Sequence, residues 1–143
     1  MSEENLAVVR EIYRAFAEHR FPAEHLTEGF VWQTAPNMPG AGTHEGHDAV
    51  RAYFRDWVGA WSEAESNVER LIEQGDEVIA LIHGRYRLSP NAETIEARYA
   101  HVWKLHDGKA VHARATSGRT ADDLGVDINQ PYPSGGKRRP RGA

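Results

Sequence analysis

One histidine interrupts an otherwise apolar strand face. From Ile95 to Leu105 the chain alternates, so that Ile95, Ala97, Tyr99, His101, Trp103 and Leu105 share one side and Glu96, Arg98, Ala100, Val102 and Lys104 the other. The first set reads as core-facing, and His101 is the one member that titrates near neutral pH. A free imidazole titrates at about 6.5, and enclosure lowers that value and keeps the ring neutral, hence able to accept a proton. His101 is therefore a candidate general base or acid. The plainer reading, a neutral core histidine bonded to Tyr13, Tyr99 or Gln33, stays open beside it. Tyr13 offers a phenol that can donate to a ligand oxygen, and Gln33 an amide that can orient a carbonyl or hydroxyl.

Other polar residues are weaker candidates. His83 and Arg85 share one face of the run from Val78 to Leu88 and read as ligand contacts or as solvent- or partner-facing residues. His44 and His47 flank Glu45 in a loop, but no third ligand can be named, and catalytic zinc takes three; no metal is expected. Cysteine is absent, which excludes disulfides and thiolate chemistry. No glycine-rich phosphate loop precedes a helix, so no organic cofactor is expected either.

The elements that must position these residues follow from periodicity. Leu6, Val9, Tyr13 and Phe16 recur at helical spacing and put Tyr13 on the inward stripe of a first helix. Pro22 to Gly29 reads as a short second helix, Phe30 to Thr34 as a strand, and residues 35–46 as a loop. Val50, Tyr53, Phe54, Trp57, Val58 and Trp61 make the stripe of a third helix, aromatic enough to wall a pocket. Antiparallel strands follow at 66–73, 78–88, 94–106 and 109–117. Helices first and a meander afterwards give an α+β layout.

The last hairpin has two readings. A two-residue Asp107-Gly108 turn sets His101 opposite Arg114. A three-residue loop with Gly108 left-handed sets His101 opposite Ala113 and Tyr99 opposite Ala115. The second keeps the inner face apolar and sends His112 and Arg114 outward, so it is preferred. Small Ala113 and Ala115 beside large Tyr99 and Trp103 leave room for a ligand, with Val31 of the early strand, Tyr53 and Trp57 completing the walls.

At 143 residues, 40% hydrophobic and 27% charged, the chain reads as one soluble, cytoplasmic domain. Its net charge of −4 is uneven. Residues 126–143 carry +3 and read as a disordered basic tail, whereas the first 125 carry −7, which disfavours nucleic acid as a partner. No apolar run is long enough for a membrane span.

The stretches VVREIYRAFAEHRF, FVWQTAP, THEGHDAVRAYFRDWVGAW and EARYAHVWKLHDGKAV, in this order and spacing, resemble a SnoaL-like domain of the nuclear transport factor 2-like superfamily. The resemblance spans roughly residues 3–125. It implies a cone, a curved mixed sheet wrapped around N-terminal helices with a pocket inside, often dimerising through the outer sheet face. Relatives include ketosteroid isomerases, polyketide cyclases, limonene epoxide hydrolases and non-enzymatic binding domains. Carried over from the isomerases, Tyr13 falls at the oxyanion-binding tyrosine, Gln33 at the aspartate base, and His101 at the protonated aspartic acid. Gly118 takes the place of an acid found in many SnoaL-like relatives. The expectation is a homodimer with a pocket for a small apolar molecule. It acts either as a cofactor-independent isomerase, cyclase or dehydratase, or as a binding module without turnover.

Overall fold

The computed structural model describes residues 2–34 and 42–116. Gly118, the domain limit at 125 and the basic tail lie outside these residues.

The N-terminal helix α1 (Ser2–Ala17) buries Val9, Ile12 and Ala15 and lays Leu6, Tyr13 and Phe16 against the core. The short helix expected at 22–29 does not form. A single 3-10 turn (Ala23–His25) leads straight into strand β1 (Leu26–Gln33). Leu26 is already buried and paired with Ala110, so sheet pairing and burial override the weak helical preference of eight residues. A short strand, β2 (Thr43–Glu45), replaces part of the expected loop and pairs with β1. Helix α2 (His47–Gly59) follows, with Val50 buried and Tyr53 and Phe54 packed on the core. Four long strands follow: β3 (Glu63–Gln74), β4 (Glu77–Arg87), β5 (Ile95–His106) and β6 (Lys109–Thr116).

The six strands form one sheet in the order β2-β1-β6-β5-β4-β3. Only β1 and β6 run parallel; every other neighbouring pair is antiparallel. The result is an α+β cone, a curved mixed sheet with the helices packed on its inner face. That face carries the main core, including Phe30, Trp32, Val78, Ala80, Ile82, Trp103 and Ala113. The outer face holds a separate buried cluster of Ile79, Leu81, Ala100 and Val102. No helix is long and apolar enough to cross a membrane among the described residues.

The β5–β6 hairpin meets the requirement for an apolar inner face by another route than expected. His106 pairs with Lys109 across a two-residue turn, with Asp107 and Gly108 both at positive φ (52° and 80°). This is the geometry that favours Asp-Gly. A register shift between Lys104 and Leu105 then restores the parity, and His101 lies opposite Ala115 and Trp103 opposite Ala113. The expected partners are thus displaced by two residues, while the buried face is the expected one.

Candidate functional site

The inward faces of α1 and β5 meet in a chain of hydrogen bonds. Trp103, fully buried, donates from Nε1 to the Tyr13 hydroxyl at 2.8 Å. The Tyr13 oxygen lies 2.7 Å from His101 Nδ1. The indole can only donate, so the Tyr13 oxygen accepts there; among the described residues Nδ1 is the one acceptor within reach of the Tyr13 hydroxyl, and its proton goes to it. Burial raises the Tyr13 pKa far above the usual phenol range and pushes His101 down to about 3, so both groups are neutral around pH 7. A neutral imidazole that accepts at Nδ1 carries its proton on Nε2. The hydrogen-bond network thus assigns the tautomer: Trp103 to Tyr13 to His101, ending in an Nε2–H donor. Among the described residues no hydrogen bond reaches Nε2.

The imidazole is framed by rings. Trp32 meets it edge-to-face at 4.9 Å, Tyr99 lies at 5.4 Å, and the Tyr13 ring is parallel to it at 6.0 Å. Ala80 and Ala115 are its cross-strand neighbours and add no bulk beside it. His101, Tyr13, Tyr99 and Ala115 retain some exposure although all four sit on the inner side. Next along the sheet, the hydroxyls of Tyr86, Tyr99 and Ser66 bond one another, Ser66 lying 3.1 Å from Tyr86 and 3.2 Å from Tyr99. Trp57 and Trp61 pack on the Tyr86 ring at 5.2 and 5.1 Å. That ring folds back over Gly84, where an added Cβ would lie 2.0 Å from the Tyr86 hydroxyl oxygen.

Several expected site residues stand elsewhere. Along β1 the buried residues are Leu26, Phe30 and Trp32, so Val31 and Gln33 belong to the opposite, outer face. Gln33 is exposed and lies 3.3 Å from His112, not near His101. His83 and Arg85 also face outward, where both pair with Glu96 at 3.6 and 3.4 Å. Trp103 and Ala113 are fully buried, so they back the site and do not line it. Tyr53 and Trp57 are half-buried on α2, on the expected side. His47 Nε2 lies 2.9 Å from the Thr27 carbonyl oxygen, and His44 packs on Tyr53 at 4.5 Å. No three His, Asp or Glu side chains converge on a metal-sized point among the described residues. Trp32, Tyr86 and Ser66 escaped the sequence reading. Plain alternation through Phe30, Trp32 and Thr34 contained the signal for Trp32.

Chemically, the relay makes an electrophile. A neutral imidazole N–H in a dry setting can polarise a carbonyl or hold an oxyanion. An imidazole whose conjugate acid has a pKa of about 3 is a poor proton acceptor at neutral pH, and Nδ1 is already occupied. The arrangement around His101 therefore suits hydrogen-bond donation from Nε2 better than proton acceptance.

Residues 9–113 match the family model of the SnoaL-like domain. Solved structures similar to the chain include an NTF2-like protein of unknown function from Burkholderia pseudomallei. It is 26% identical, with a TM-score of 0.72 over 86% of this chain and 96% of that one. TerC co-crystallised with polyporic acid is 19% identical, with a TM-score of 0.72 over 89% and 99%. A putative SnoaL-like polyketide cyclase from Jannaschia sp. is 16% identical, with a TM-score of 0.69 over 87% and 92%. No curated protein matches.

Proposed function

The chain belongs to the SnoaL-like domain family, and from that premise we propose that it binds a small, mostly apolar molecule through an oxygen atom of that molecule. The oxygen, a ketone, quinone or phenol oxygen, accepts a hydrogen bond from His101 Nε2–H. Trp32, Tyr99, Tyr53 and Trp57 supply aromatic surface for the body of the ligand. The observation that carries this reading is the Trp103–Tyr13–His101 relay, because it fixes a neutral donor on an otherwise apolar face. The same proposal has the protein act as a cytoplasmic homodimer without metal or organic cofactor.

Turnover is the second reading, favoured by the same donor. Polarising a carbonyl is half of an isomerisation, cyclisation or dehydration, and stabilising the oxyanion is commonly its larger half. The other half is a proton acceptor, and among the described residues no carboxylate hydrogen-bonds to the relay. Binding is thus better supported than catalysis.

Tryptophan fluorescence tests the reading, since Trp32 touches the His101 ring. A panel of aromatic ketones, phenols and quinones, with polyporic acid among them, should quench it saturably. His101→Phe, which removes the donor and keeps a ring, should weaken binding about tenfold, the worth of one well-placed hydrogen bond. Equal affinity in that variant would remove the relay from recognition.

A further inference from the structure

The inner face is open along β5 from its first residue down to His101. Ile95 is 47% exposed, Ala97, Tyr99 and His101 each keep some exposure, and Trp103, fully buried, closes the row. The neighbouring strands are open at the same end. Ala64 and Ser66 of β3 are exposed, and they share this face: Ala64 pairs with Tyr86 and Tyr86 with Ile95, while Ser66 pairs with Gly84 and Gly84 with Ala97. His101 therefore stands at the inner end of a trough whose mouth lies at Ile95, Ala64 and Ser66.

The hydroxyls of Ser66, Tyr86 and Tyr99 sit in the wall between the two ends. Each touches the other two, Ser66 at 3.1 Å from Tyr86 and 3.2 Å from Tyr99, and the two tyrosines more closely still. Gly84 makes room for this, because the Tyr86 ring lies where a side chain at 84 would begin. Three contacts need three protons, and three hydroxyls carry no more than that. In a closed ring each hydroxyl donates once and accepts once, and only lone pairs face outward. Burial raises the pKa of both phenols, so the ring keeps its protons around neutral pH. The trough thus holds a donor at its inner end, His101 Nε2–H, and an acceptor in its wall. Tyr99 and His101 are successive inward residues, about 7 Å apart along the strand, with their rings 5.4 Å apart.

We propose that the hydroxyl ring of Ser66, Tyr86 and Tyr99 is a second anchor, which selects ligands carrying a hydroxyl group as well as a carbonyl. The carbonyl accepts from His101 Nε2–H, and the ligand O–H donates to the Tyr99 oxygen. The ligand class is an aromatic hydroxyketone or hydroxyquinone that enters carbonyl first. This rests on the reading of His101 as an oxygen-binding donor. An ether in place of the hydroxyl sets lone pairs against lone pairs and forfeits the bond.

Benzophenones with a hydroxyl, methoxy or ethyl group at the 3- or 4-position test the ring and the histidine separately, with tryptophan fluorescence as the readout. At the position that fits, the phenol should bind about tenfold more tightly than its methyl ether. Ser66→Ala opens the ring and leaves one tyrosine proton unused, so the wall becomes a donor. The methyl ether should then gain affinity, whereas the ethyl compound, alike in shape but without lone pairs, should not. His101→Phe should weaken phenol and ether alike and keep their ratio. Phenol and ether binding equally to the wild type at both positions, or a Ser66→Ala variant in which ether and ethyl compound change together, would overturn the ring as an anchor; weakening of both by His101→Phe would leave the donor role standing. Binding of none of them, or binding indifferent to His101→Phe, would overturn both.

Discussion

Tyr13 holds two buried partners at once, so its loss is felt twice. Removing the hydroxyl leaves Trp103 Nε1–H without an acceptor and His101 Nδ1 without a donor, at a cost of about 1–3 kcal/mol for each orphaned group. Tyr13→Phe is expected to lower the melting temperature even though the ring remains and the cavity is unchanged; an unaltered transition would show the relay to be slack. His101 adds a pH signature. Its folded-state pKa lies below the unfolded value, so the unfolded chain binds the extra proton as the solution acidifies. Stability from this group is therefore complete above about pH 6.5 and declines toward pH 3, by about 2 kcal/mol at pH 5. Denaturant titrations of the wild type and His101→Gln should diverge in that window and run parallel above it. Parallel curves throughout would mean that the imidazole is solvated and titrates normally.

At the scale of elements, Gly84 and the β5–β6 turn make the clearest cases. Gly84→Ala drives a methyl into the Tyr86 ring, which Trp57 and Trp61 pin from the side, so overpacking should cost about 1–3 kcal/mol. In a Tyr86→Ala background the same change should cost little, and a double-mutant cycle in chemical denaturation measures the difference. Element types and the inward face of β5 were legible in the sequence because period-two and period-3.6 patterns are strong there. Other features were not. The β-bulge that resets the hairpin is a second irregularity after the turn, and parity alone cannot distinguish it from a longer loop. The 3-10 turn and early start of β1 depend on pairing with β6, more than eighty residues away in sequence. Gln33 was placed inside by analogy with a family position, against the alternation in its own strand, where Phe30 and Trp32 have the stronger apolar claim. His101 itself was legible as an odd residue on an apolar face. Its role was not, because the tautomer depends on Tyr13 and Trp103 acting together across 90 residues of chain.

On the scale of the whole molecule, the sheet separates two chemistries. The inner face holds the relay among aromatic rings. The outer face holds the apolar cluster around Leu81 and a polar network in which Glu96 pairs with His83 and Arg85, and Glu69 with Arg98. Ala100 and Val102, from which sequence reasoning expects the drive for a homodimer, are already buried in the single chain. A dimer through this face would therefore lean on its charged rim. Light scattering is expected to show a dimer at micromolar concentration that loosens as salt rises; a salt-resistant dimer would place the interface on an apolar surface elsewhere. The relay depends on the inner face being dry enough to keep an imidazole neutral and directed. Long-range proton–nitrogen NMR correlation of histidine-labelled protein reads this out: His101 should show a proton on Nε2 and a bare Nδ1, unchanged from about pH 5 to about pH 8. An Nδ1–H form, an averaged tautomer, or a titration centred near 6.5 would contradict it.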